Sequence, residues 1–180
     1  MTETALLADL NRLCDDAVSA LAPVYDAAEN ALRTAVTIDG KVDAAVFDEN
    51  QFAAHGFAWF TTYVTALQQM KAWSERLNTQ GKYGTLEKLI LQAAFGEYLA
   101  QIQGGIAMSQ GEFIRLSTLG VPTNIIDAFT SNPSVKMLAT HGNSDATRRA
   151  IAHEIQDSLD TGQFGETGLE DETLDMVRNQ

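Results

Sequence analysis

The sequence predicts an all-α fold, an antiparallel helical bundle of three long helices followed by smaller C-terminal helices. Three observations predict it. Apolar residues recur at three- and four-residue steps through most of the chain, which is the period of one helix face. Only three prolines, Pro23, Pro122 and Pro133, interrupt 180 residues, so long helices are not broken. With 45% hydrophobic residues the chain has enough apolar material to bury one sizeable core and does not read as disordered.

The first helical stretch spans residues 3–35. Leu6, Leu7, Leu10, Leu13, Val18 and Leu21 form a stripe that Tyr25, Ala28, Leu32 and Val36 continue, with Asp9, Asp15 and Asp16 elsewhere around the axis. Pro23 kinks this run or begins a new helix. Ile38-Asp39-Gly40-Lys41 ends it, with Gly40 able to take a left-handed conformation.

The second stretch, Asp43 to Leu77, carries Phe52, Trp59, Phe60, Tyr63, Val64, Leu67, Met70 and Leu77 at helical spacing. Its aromatic content gives β-propensity some weight, yet the period favours helix. The third, Thr85 to about Leu119, is apolar nearly all round, which places it in the middle of the bundle. Thr85 is a candidate cap, and Gly96, Gly104, Gly105 and Gly111 are expected to permit close helix approach or a local break near Gly104-Gly105. Shorter helices follow: Thr123–Thr130, then Pro133–Thr140 capped by Asn132, then one from Ser144-Asp145 to about Leu159. The domain reading is a helical bundle over 1–160, with an acidic linker and the start of a further helix over 161–180.

Composition excludes several classes of function. A net charge of −12 without a Lys/Arg cluster opposes binding to nucleic acid or to an anionic membrane surface. The single Cys14 cannot form an internal disulfide and fits a reducing cytoplasm as a small core residue. The N-terminus lacks the basic and apolar regions of a signal peptide. Phosphate-binding glycine loops and G-x-S-x-G elbows are absent from the sequence. A carboxylate-bridged di-metal bundle needs two Glu-x-x-His pairs; none of His55, His141 and His153 follows a Glu by three residues. No catalytic, cofactor-binding or metal-ligating residue is assigned within the chain.

Several polar and aromatic residues are weighed individually. Glu97 sits among Phe95, Tyr98 and Leu99 on the most apolar helix. It is a buried acid with a raised pKa, or a carboxylate at a helix seam bonded to Tyr, Gln or a His such as His55. The second reading is preferred. Gln92, Gln101, Gln103 and Gln110 on the same helix are expected to be exposed or to bond between helices. His55 is expected to be a satisfied core histidine. Trp59, Phe60, Tyr63 and Trp73 are expected in the core rather than stacked on a flat ligand. Asp48, Glu49 and Glu170-Asp171-Glu172 read as solvated or helix-start charges.

Two segments resemble a known family. HGFAWFTTYVTALQQMKAWSERL (His55–Leu77) followed by EKLILQAAFGEYLAQIQGGIAMSQGEFIRLSTLGV (Glu87–Val121) resembles the extra N-terminal helical region of a subgroup of bacterial acyl-CoA dehydrogenases. GLEDETLDMVRNQ (Gly168–Gln180) is similar to the helix that opens the core of those enzymes. The resemblance covers about residues 50–121 and 168–180. It implies a parent flavoprotein that oxidises the α–β bond of an acyl-CoA thioester with FAD and a carboxylate base. The FAD-binding middle domain, the C-terminal helical domain and the catalytic Glu of that family have no counterpart here, so no site residue carries over and Glu97 is not the base.

The last helix opens with Leu169, Leu174, Met176 and Val177 and stops in mid-pattern at Asn179-Gln180, as a fraying terminus or a piece of a longer chain would. The expected role is an accessory domain that packs on the rest of the parent enzyme or on itself as a homo-oligomer. The alternative is a free-standing helical module that binds a small ligand or a protein.

Overall fold

The computed structural model describes residues 5–162 and 165–178. The fold is all-α. Helix α1 (Leu10–Val36) leads through a two-residue antiparallel hairpin, β1 (Thr37–Ile38) and β2 (Lys41–Val42), to a short α2 (Ala44–Glu49) and a long α3 (Gln51–Thr79). Helix α4 (Thr85–Gly104) is followed by a second small hairpin, β3 (Ile106–Ala107) with β4 (Phe113–Ile114), and then by α5 (Thr123–Ser131), α6 (Pro133–His141), α7 (Asp145–Asp157) and α8 (Asp171–Arg178).

Local chemistry explains most of these boundaries. Asp43 accepts from the backbone N–H groups of Ala45 and Val46 and starts α2, and Asn132 does the same for α6 ahead of Pro133. Ser144 Oγ receives the Thr147 N–H at the start of α7. Pro23 does not begin a new helix, because α1 continues through it. What is lost is one hydrogen bond to the carbonyl of Ser19, four residues earlier. The first helix starts at Leu10 rather than near residue 3, after Asp9 in a left-handed conformation with φ 54°. Thr85 is not the cap expected of it. Gly84 holds that position, and the Glu87 carboxylate receives the Gly84 N–H at 3.0 Å.

The third expected stretch breaks at Gly104-Gly105, as those glycines indicated, so α4 does not run on to Leu119. Gly105 has φ +121°, a conformation closed to other residues, and the chain turns into the β3–β4 hairpin instead of continuing to Leu119. Ile106 and Ile114 of that hairpin are each 1% exposed, so burying two β-branched side chains outweighs another helical turn. Gly56 on α3 makes room for it: a Cβ there would meet the Ile114 side chain at 2.2 Å.

A single core joins α1 (Leu13, Cys14, Ala17, Leu21, Val24), α3 (Phe60, Val64, Leu67), α4 (Leu91, Phe95, Leu99, Ile102) and the later segments through Phe129, Val135 and Leu138. Helices α1 and α3 run antiparallel. Tyr25 packs on Phe57 and Phe60 near one end, and Lys71 pairs with Asp15 at 3.1 Å near the other. The three long helices do not close a bundle by themselves. The short α6 is wedged against both α1 and α4, which touch each other only slightly. Ser134 on α6 donates to Asp16 on α1 at 2.9 Å.

The α6–α7 corner meets α4 at Gly96. A Cβ at Gly96 would lie 2.5 Å from the backbone nitrogen of Asn143 and 2.8 Å from Gly142 Cα. One turn earlier, Gln92 is fully buried. Its Nε2 donates to Ala5 O at 2.8 Å and Thr147 Oγ1 at 2.9 Å, with Gly142 O at 3.3 Å, and its Oε1 accepts the Leu7 N–H at 2.7 Å. One amide thus ties the segment before α1 and the start of α7 to the central helix.

Truncating that amide leaves buried backbone groups unpaired, so Gln92→Leu is expected to cost about 2–3 kcal/mol. At this chain length that is a fall of about 4–12 °C in melting temperature, read by calorimetry. Gly96→Ala is expected to destabilise by about 1–3 kcal/mol through backbone overlap. Gly104→Ala, where no atom lies within 4 Å of the added Cβ, is expected to be neutral or to stabilise by up to about 1 kcal/mol; equal effects at the two glycines would refute the close-approach argument.

Candidate functional site

The residues weighed from the sequence separate into a polar seam, an aromatic surface, a groove and a docked linker. In the seam, the Tyr63 hydroxyl on α3 donates to Gln101 Oε1 on α4. Gln101 Nε2 donates to Glu97 Oε1 at 2.6 Å, and Asn143 Nδ2 donates to Glu97 Oε2 at 2.8 Å. The Tyr63 and Tyr98 rings stack at 4.6 Å beside this chain of bonds. Glu97 is therefore not a buried acid. It is exposed, and the amides of Gln101 and then Asn143 hold its carboxyl below the usual range. A carboxylate held ionised by two donors at a helix seam positions helices and is a poor proton donor at neutral pH. The expected glutamine partner is present, while His55 is not part of the seam.

His55 is a correction as well: it lies on the surface. Its Nε2 accepts the Trp59 indole N–H at 2.7 Å, and the two rings are parallel within 2° at 6.5 Å. Trp59 is 37% exposed and Phe52 47%, whereas Phe60 is fully buried. The aromatic residues of α3 are therefore split between core and surface. Burial pushes the Cys14 thiol up, so it stays protonated and inert in the core. His153 is exposed and Glu154 half-buried, adjacent on α7. Among the described residues, no cluster of three or more His, Cys, Asp or Glu has the spacing of a metal site, and no helix is long and apolar enough to cross a membrane.

A groove of about 480 Å³ runs between α3 and α4, lined by Ala66, Met70, Trp73, Ile90, Ala94 and Tyr98, with Gln69 and Arg76 at its polar edge. It does not fit a flavin dinucleotide. A diphosphate needs several converging donors or cations, and Arg76 is the groove's one cationic side chain. No chemical step is assigned to a flavin here.

The most closely held part of this surface was not legible in the sequence. Glu87 is 5% exposed. Besides capping Gly84, its Oε1 receives the backbone N–H of Glu166 at 3.0 Å. The Glu166 carbonyl accepts the Trp73 indole N–H at 3.1 Å, and its side chain pairs with Lys82 at 3.2 Å. Gly168 is buried with φ 66°, and a Cβ there would stand 3.1 Å from Leu77 and 3.5 Å from Trp73. Glu166 and Gly168, read as part of an acidic linker, are thus docked on the α3–α4 end of the bundle. The sequence signal was faint: a Glu two positions inside a helix reads as an ordinary capping residue, with nothing to show its second partner 79 residues away.

The seam sets a pH dependence. A carboxylate with a lowered folded pKa adds stability above its unfolded pKa and loses it as pH falls through the folded value. The stability difference between wild type and Glu97→Gln is expected to be below about 1 kcal/mol at pH 7, because the group is exposed. It should vanish well below the ordinary glutamate pKa of about 4.3. Urea melts across pH 2–7 measure it; a difference that grew on acidification would contradict the bonding described.

No protein-family model matches the chain. It is 44% identical over all 180 residues to a (2S)-methylsuccinyl-CoA dehydrogenase of Cereibacter sphaeroides. The resemblance expected from residues 50–121 and 168–180 thus extends through the whole chain. The chain spans about a third of that relative's length, 32%. By this likeness it resembles the N-terminal third of an acyl-CoA dehydrogenase.

Proposed function

We propose that this chain is the N-terminal accessory part of an acyl-CoA dehydrogenase-like flavoprotein and is not catalytic by itself. The observation that carries the reading is identity of 44% along its entire length to one third of a (2S)-methylsuccinyl-CoA dehydrogenase. Its work is packing, as a helical bundle over 1–160 with a linker and helix over 161–180. It covers the remainder of the parent enzyme or joins copies of itself. The parent would use FAD to oxidise the α–β bond of an acyl-CoA, a thioester of the class the relative's name describes. Cytoplasmic residence follows from the same reading. Support comes from what the geometry offers: a tightly bonded seam, an inert thiol and an apolar groove.

The groove also favours a second reading, a free-standing module that takes a small apolar ligand. One pair of measurements separates them. The mass of the native polypeptide in its source cell is expected to be roughly three times that of these 180 residues, in line with the relative. The isolated chain is expected to show no thermal shift with FAD or with short acyl-CoA esters. Binding at a hundredfold excess over Kd would add about 2.7 kcal/mol, or about 5–10 °C at this size. Such a shift, with a native product of 180 residues, would replace the accessory reading by the binding module.

A further inference from the structure

Resting on the accessory reading, we propose that the α3–α4 groove and the apolar side of α8 form one docking face. Its occupant is the part of the same polypeptide that follows α8 in the parent protein. Trp73 makes the two surfaces continuous. It lines the groove, donates to the Glu166 carbonyl and packs on Gly168, and Leu169 follows immediately, 46% exposed. Beyond it α8 leaves Met176 and Val177 59% and 67% exposed, while Glu172 and Asp175 are exposed too. An eight-residue helix this short gains little stability in water unless its apolar side is covered.

Three features choose the occupant. The relative has about two thirds of its length beyond what this chain matches, which supplies a following chain of the necessary size. The bonds from Trp73, Lys82 and Glu87 to Glu166 hold the departure point of α8 beside the groove. Anything covalently continuing from α8 is therefore present there at an effective concentration in the millimolar range. A second copy has no such advantage, and each copy brings a net charge of −12. Seven acidic residues fall from Asp157 through Asp175, both included, so two such faces repel. The apolar lining of the groove, with one cation at its edge, matches an amphipathic protein surface better than a charged ligand.

The test is oxidative footprinting by mass spectrometry on two samples: the native polypeptide purified from its source and the isolated 180-residue chain. Met70, Trp73 and Met176 report on the face, and Met137 on α6, 42% exposed, is the control. The expected result is a native product longer than this chain in which Met70, Trp73 and Met176 are oxidised several-fold more slowly than in the isolated chain, with Met137 unchanged. A longer product with those three residues equally reactive in both samples overturns the docking face and leaves the accessory reading intact. A native product of 180 residues overturns both. Concentration-dependent protection of the isolated chain, together with a dimeric mass in sedimentation, assigns the face to a second copy and overturns the proposal.

Discussion

Gln92 is a fully buried amide in the middle of the most apolar helix, and polar groups from three distant parts of the chain depend on it. An amide with no partner in that position would cost several kcal/mol. Its cost is offset only because the chain before α1, the α6–α7 corner and Thr147 all reach it. That requirement sets the distance between α4 and the α6–α7 corner. The corner can come so near only because Gly96 and Gly142 face each other without side chains. The wedge of α6 between α1 and α4, and so the shape of the core, follows from this one close approach.

Five residues earlier, at the start of α4, a charged group repeats the device. Glu87 serves the first turn of its own helix and a backbone N–H of the acidic segment near Glu166. A carboxylate that accepts two backbone N–H groups has its desolvation compensated. The first half of the helix that crosses the core is therefore anchored by two polar side chains that bind backbone, and its apolar sides pack on α3 and α6. The surface that this leaves open, between α3 and α4, is apolar and adjoins the segment from which α8 departs.

The polar groups that looked chemically suggestive serve this architecture. Tyr63, Gln101, Glu97 and Asn143 are bonded in series across α3, α4 and the α6–α7 corner, so their donors and acceptors are used in holding elements together. None of the four lines the α3–α4 groove.

The sequence by itself determined the helical class, the long helices and the caps at Asn132 and Ser144, because periodicity, proline position and capping are local properties written within a few residues. It also carried the family likeness, which depends on residue order alone. Tertiary structure decided the rest. How the chain turns after Gly104 depends on Ile114 finding room beside Gly56, a contact between residues nearly sixty positions apart. The exposure of His55 and Trp59 depends on which side of α3 the rest of the chain covers. The docking of Glu166 depends on a glutamate far away in sequence. Helical period tells that a stripe exists, but partners brought together by folding determine which stripe is buried, and those partners are invisible to any window of the sequence.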